Sequence, residues 1–130
     1  MLFRSKDSRF EMFQNVSEAK GGRESTVFAI NNDIFIAFAI YYASPVFKWS
    51  SELENFVKLQ TLSTRGTRGV QFFVVNSDTF LAFSNVYNGG KYNIDLRDVG
   101  IYSVLSNTFQ CLAKGVRPTT FRLLVRMLCN

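Results

Sequence analysis

Short apolar stretches separated by small polar turns run along almost the whole chain, and alternation at a period of two predicts β-strands. Phe10-Glu-Met-Phe-Gln-Asn-Val16 alternates and leads into a loop through Gly21-Gly22. Thr26–Ile30 reads as a strand, Asn31-Asn32-Asp33 as a tight turn, and Ile34–Ile40 as a second strand. Asn and Asp suit such a turn because they tolerate left-handed backbone geometry and bond to their own main chain. Pro45–Trp49 and Phe56–Leu62 read as a third and a fourth strand, the third edge-tolerant at its proline. The order then returns. A loop over 63–69 precedes strands at Val70–Val75 and Thr79–Val86, with Asn76-Ser77-Asp78 as the turn between them. After an interruption over 87–98, Val99–Val104 and Thr108–Leu112 complete the pattern.

Ile34–Ile40 is apolar on both faces, with Phe35, Ala37 and Ala39 on one and Ile34, Ile36, Phe38 and Ile40 on the other. Burial on both sides is expected where sheets stack face to face. A buried helix would give the same short run, but the period, the turn residues and the β-branched content favour a strand.

The returning order is a sequence repeat. Phe28-Ala-Ile-Asn-Asn-Asp33-Ile-Phe35-Ile-Ala37-Phe38 recurs without a gap as Phe73-Val-Val-Asn-Ser-Asp78-Thr-Phe80-Leu-Ala82-Phe83, an offset of 73 − 28 = 45 residues. Phe10 and Gln14 match Phe56 and Gln60, and Val46-Phe47 matches Ile101-Tyr102. A four-stranded unit of roughly 45 residues is the size of a β-propeller blade, with a solenoid of β-layers as the alternative. The expected fold class is therefore all-β: antiparallel four-stranded blades of a β-propeller, two blades and an incomplete ring. The expected layout is an N-terminal flank over 1–8, one repeat over 9–53, a second over 54–106 with the 87–98 insertion, the start of a third over 107–116, and a divergent basic amphipathic tail over 117–130.

The unit resembles the EAR repeat (epilepsy-associated repeat, also called EPTP), as found in the leucine-rich glioma-inactivated proteins and in the thrombospondin-type laminin G domain and EAR repeat protein. The residues that carry the resemblance are Phe47-Lys48-Trp49, Phe56-Val-Lys-Leu-Gln60, Gly69 and Phe72-Phe-Val-Val75. The most telling stretch is Asp78-Thr-Phe-Leu-Ala-Phe-Ser-Asn85, joined by Phe13-Gln14, Phe28 and Phe35-Ile-Ala-Phe-Ala39 in the first copy. The resemblance implies a seven-bladed propeller acting as an extracellular protein-recognition disc. The departures are two repeats rather than seven, Val104 where Trp49 stands, and Ala113 where the repeat's Gln belongs. These departures fit a piece of a longer EAR protein. An array of fewer than about three units leaves an apolar face to be covered, so self-association that completes the propeller is also expected.

Composition narrows the classes. Hydrophobic residues at 47% and charged residues at 19% are those of a folded chain. Fourteen Phe against one Trp suit strands with aromatic core positions. The longest apolar run, Ile34–Ala43, is half of the roughly 20 residues a membrane-spanning helix needs, and residues 1–9 lack the apolar core of a signal peptide. Cys111 and Cys129 are either a disulfide or two thiols, and neither choice decides the compartment. The net charge of +5 admits a polyanion, sulfated glycan or nucleic acid, but the basic residues are scattered.

Candidate chemistry is sparse. The chain has no His, which removes the commonest general base and metal ligand, and no enzyme activity, catalytic residue, metal or cofactor is expected. Asp33 and Asp78 recur at equivalent turns and read as turn formers. Cys111 has no activating base in its strand and reads as a buried thiol. Gly89-Gly90-Lys91 lacks the spacing of a phosphate loop. Asp95 and Asp98 supply too few oxygens for calcium. The tail Pro118–Leu128 fits either an amphipathic helix or a strand.

The resulting expectation is a non-enzymatic, secreted or cell-surface protein-recognition module, with a cell-surface receptor or matrix protein as partner. A basic polyanion-binding all-β domain is the alternative, with nucleic acid not favoured. Partner contacts are expected in the variable loops, at Arg65, Arg68, Tyr87, Lys91 and Tyr92, because exposed Arg and aromatic residues favour binding hot spots. Asn15-Val16-Ser17 is an N-glycosylation sequon that acquires meaning in the secretory path. Phe28, Asp33, Phe35, Ala37, Phe38, Phe73, Asp78, Phe80, Ala82 and Phe83 are expected to build the scaffold.

Overall fold

The computed structural model describes residues 1–64, 66–85, 98–105 and 108–116. They form β1 (Leu2–Lys6), β2 (Arg9–Gln14), β3 (Glu24–Ile30), β4 (Asp33–Ala39), β5 (Ala43–Ser50), β6 (Asn55–Ser63), β7 (Thr67–Val75), β8 (Asp78–Asn85), β9 (Asp98–Leu105) and β10 (Thr108–Val116), with a 3-10 turn at Ser17–Ala19. One four-stranded sheet has the order β3-β4-β5-β6 and the other β7-β8-β9-β10, while β1 and β2 form a separate hairpin. Every pairing is antiparallel. The all-β class and the antiparallel four-stranded blades follow the expectation, and the two sheets do not close a ring.

The inner hairpins β3–β4 and β7–β8 turn on residues with positive φ, Asn31 (49°) and Asn32 (70°) in the first, Asn76 (48°) and Ser77 (72°) in the second. Two successive left-handed residues make the turn whose twist matches that of the flanking strands. Asp33 and Asp78 lie just past these turns, each opening the next strand, and Asp33 pairs with Lys48 at 3.1 Å.

The sheets and the sequence repeat are out of phase by one strand. Phe56–Leu62 opens the second sequence repeat, yet β6 closes the first sheet, and β10 closes the second in the same way. One local expectation is corrected, the loop over 63–69, and two features are made specific. The stretch before residue 9 contains a strand, β1, because Leu2 has an apolar seat against Val16, Ile36 and Phe47. The loop expected over 63–69 ends at Thr67, where β7 starts through an irregularity that brings Gly69 opposite Ser84. Finally, the strand that is edge-tolerant at its proline, β5, lies in the interior of its sheet. Its pairing with β4 covers only Val46–Lys48, so Pro45, which has no N–H to donate, lies outside that ladder.

The core lies between the sheets. Phe28, Phe35, Ala37, Ala39, Val46 and Leu62 of the first meet Val70, Leu81, Phe83, Tyr102, Val104 and Phe109 of the second. β4 is buried on both faces as expected, with Ile36 packing on the opposite side with Val16 and Phe47. Ile34, at the strand's start, is exposed. Full burial of side chains such as Phe35, Leu81 and Phe83 contributes about 1.5–3 kcal/mol each. The repeat is visible in the packing too. Phe28 and Phe35 stack across β3–β4 with centroids 5.4 Å apart, and Phe73 and Phe80 stack across β7–β8 at 5.3 Å. Phe28 also stacks on Phe72 of the other sheet at 4.5 Å, a contact that adds to area burial.

Polar groups fix one layer on the next. Gln14 on β2 donates from Nε2 to the Phe56 carbonyl and accepts the Phe56 N–H at Oε1, both at 2.9 Å. Gln60 on β6 makes the same pair of bonds with Phe109 on β10. The Tyr102 hydroxyl donates to the Ser63 carbonyl. The short link between the sheets is tied down by Gly66 and Thr67 N–H groups donating to the Tyr41 carbonyl, and by Ser44 and Thr64 hydroxyls gathered on Ile40.

Candidate recognition surface

The recurring residues are mostly spent on the scaffold. Phe28, Phe35, Ala37, Phe80 and Phe83 are buried, and Phe38 and Phe73 are partly buried against the core clusters. Asp78 is exposed, and Asp33 and Ala82 are half-buried.

Of the loop residues expected to contact a partner, Arg68 is described. It lies near the start of β7, exposed between the buried Thr67 and the half-buried Gly69, and it takes part in an interaction of its own. Arg65, Tyr87, Lys91 and Tyr92 lie outside the described residues, as do the Gly89-Gly90-Lys91 stretch, Asp95, Cys129 and the tail 117–130. Asp98 opens β9 and pairs with Asn85, so its backbone belongs to a strand rather than to the insertion.

Exposed apolar side chains outside the doubled motif include Tyr42 in the loop before β5, Leu53 in the turn before β6, and Val57 and Leu59 on β6. β6 is an outer strand, with no strand neighbour on one side among the described residues. A sequence signal existed, since Phe56-Val57-Lys58-Leu59 interrupts clean alternation. A second feature is an open groove between the N-terminal hairpin and the first sheet, lined by Asn15, Ser17, Lys20, Arg23, Glu24 and Phe38 among others. Asn15 itself is exposed.

Chemistry within the described residues is limited. No group of three or more His, Cys, Asp or Glu side chains there is placed to hold a metal ion. Cys111 is exposed rather than buried, a correction that follows from its place on the outer strand β10, where the register equivalents Met12 and Lys58 are exposed too. Burial, and after it the charge of Cys111, hold the Tyr102 phenol above its ordinary value. Tyr102 is thereby kept as a neutral hydroxyl that can donate between the sheets. No helix among the described residues is long and apolar enough to cross a membrane.

No curated protein matches the chain. The family model of the EPTP domain matches residues 55–91, a stretch that takes in β6, β7, β8 and the turn Asn76-Ser77 with its following Asp78. The match falls on the second copy of the doubled motif and on the strand bearing Gln60, so residues 55–91 are similar to the EPTP domain, in agreement with the resemblance read from the residues.

Proposed function

We propose that the chain is a non-enzymatic protein-recognition module built from EPTP repeats and displayed outside the cell. The observation that carries this reading is the EPTP match over 55–91, set on two stacked blades whose recurring aromatic residues are largely buried. Such a scaffold holds loops and outer strands rigidly while leaving them free to vary, which suits selective contact with another protein. Arg65, Arg68, Tyr87, Lys91 and Tyr92 are the proposed contact residues, and Asn15 is the proposed glycan acceptor. The proposed partner is a cell-surface receptor or matrix protein.

The test is capture from intact cell surfaces by the purified chain, with wild type compared to Arg68→Ala and to a combined Tyr87→Ala/Tyr92→Ala variant. The reading expects one partner recovered by wild type and lost, or at least tenfold weaker, with one of the variants. It is overturned if no surface protein is recovered across several cell types. It is equally overturned if binding goes to heparin-type glycans with log affinity falling linearly in log salt, which would assign the net charge of +5 to a polyanion.

A further inference from the structure

The outward face of the second sheet is buried without a described neighbour. Val75, Phe80 and Ile101 are 7%, 5% and 1% exposed and cluster with Phe73. Leu81 and Tyr102, next to Phe80 and Ile101 in sequence, point into the core between the sheets. Side chains alternate along a strand, so Phe80 and Ile101 point the other way. The strands of the first sheet that pack on the second, β3, β4 and β6, all lie on the core side.

A sheet face bare to water does not hide large side chains. On the far face of the first sheet Val27 and Ile34 are 63% and 44% exposed. The repeat supplies a closer comparison. Phe73, Phe80 and Ile101 stand where the first sheet has Phe28, Phe35 and Val46, and those three are covered by the second sheet. One position differs in kind: Phe80 pairs with Ser103 where Phe35 pairs with Lys48. Ser103 takes away the charge that Lys48 sets 5.9 Å from the centre of the Phe35 ring, so this face is the less polar of the two.

Two segments of the chain are long enough to supply a cover. Residues 86–97 begin and end on one cross-strand pair, Asn85↔Asp98, which ties both ends of that segment to the rim of the sheet. Residues 117–130 are tied at one end, after β10. They place Phe121, Leu124, Val125 and Leu128 on one helical stripe behind Pro118, which is tolerated at a helix start, with Arg122 and Arg126 off the stripe. A strand laid across an apolar face would leave its main-chain groups without partners, whereas a helix satisfies its own. Pro118–Leu128 as a helix is about 16 Å long, and four strands set about 4.8 Å apart span about 14 Å.

We propose that residues 118–128 form an amphipathic helix that lies across the outward face of β7–β10 and caps the stack of sheets. Its apolar stripe meets Phe80 and Ile101, while Arg122 and Arg126 face water. The end of a stacked array needs a polar outer surface to stay soluble, and this helix supplies one. While seated, it also bars any further sheet from that face. The proposal concerns a different surface from the loop contacts proposed above and stands or falls separately from them.

The test is NOE spectroscopy on the full chain with labelled Ile, Leu and Val methyl groups. Contacts are expected between the Ile101 methyls and Phe121, Leu124 or Val125 within one chain. Leu124→Asp is expected to abolish them and to raise the fluorescence of an apolar-surface dye about twofold or more. Should Leu124→Asp fail to fold, the wild-type contacts decide. Ile101 contacts to residues 86–97 overturn the proposal and assign the cover to that segment. Contacts seen only between labelled and unlabelled chains overturn it in favour of a second copy. Ile101 in contact with none of these overturns it, as does a folded Leu124→Asp variant with unchanged dye fluorescence.

Discussion

Gln60 and Phe109 face each other across the gap between the sheets, 49 residues apart in sequence, with Nε2 donating to the Phe109 carbonyl at 2.9 Å and Oε1 accepting the Phe109 N–H at 3.0 Å. A side-chain amide here behaves as one more residue of a strand, satisfying both main-chain groups of Phe109 on the side of β10 that faces away from β9. It closes an edge that would otherwise invite pairing with another chain.

Removing this clamp is expected to cost stability beyond one surface contact. Gln60→Ala leaves the Phe109 N–H and C=O without their partner, a loss of about 1–3 kcal/mol. Gln60→Glu should be at least as costly, because a carboxylate cannot donate to a carbonyl. Urea unfolding of the three proteins checks this, and a loss below about 0.3 kcal/mol for Gln60→Ala would show that water replaces the amide.

Ser77 occupies a left-handed position, φ 72°, in the turn of the second inner hairpin. Such a conformation costs an L-residue other than glycine roughly 1 kcal/mol, and glycine at the second turn position is the favoured choice. Ser77→Gly should raise stability by about 0.5 kcal/mol after the larger unfolded-state entropy of glycine is counted. Ser77→Val should lower it. Thermal unfolding midpoints moving the same way for both would contradict the turn geometry.

Alkaline pH probes Tyr102. Its phenol is held above the ordinary 10.0 mainly by burial, so the folded chain keeps the proton after the unfolded chain has released it. The associated stability is complete below pH about 10 and declines as pH rises from there toward the folded-state value. Tyr102→Phe loses the bond to Ser63, about 1 kcal/mol at pH 7, and removes this share of the alkaline decline. Unfolding midpoints measured from pH 7 to 11 should converge for the two proteins; parallel curves would rule the assignment out.

Asn15 is exposed directly after β2, with Ser17 exposed two residues on. Expression through a secretory route should add one glycan there, read as a mobility shift that a glycosidase and Asn15→Gln both abolish. A shift surviving Asn15→Gln would place the glycan elsewhere.

Strand content, turn positions and the doubled motif were legible in the sequence, because alternation and turn chemistry act over a few neighbouring residues. Asn31-Asn32 and Asn76-Ser77 turn where expected, and Phe35 and Phe80 take equivalent places. The pairing Phe10/Gln14 with Phe56/Gln60 was visible as well, but not what the glutamines do. Of the expected contact residues, Arg68 is described and is exposed near the start of β7. Tertiary structure alone decided that β6 closes the first sheet, that β1 is a strand, that Cys111 is exposed, and that Gln14 and Gln60 join successive layers. Local pattern fixes which face of a strand is apolar. How one layer is clamped on the next depends on contacts between residues more than forty positions apart.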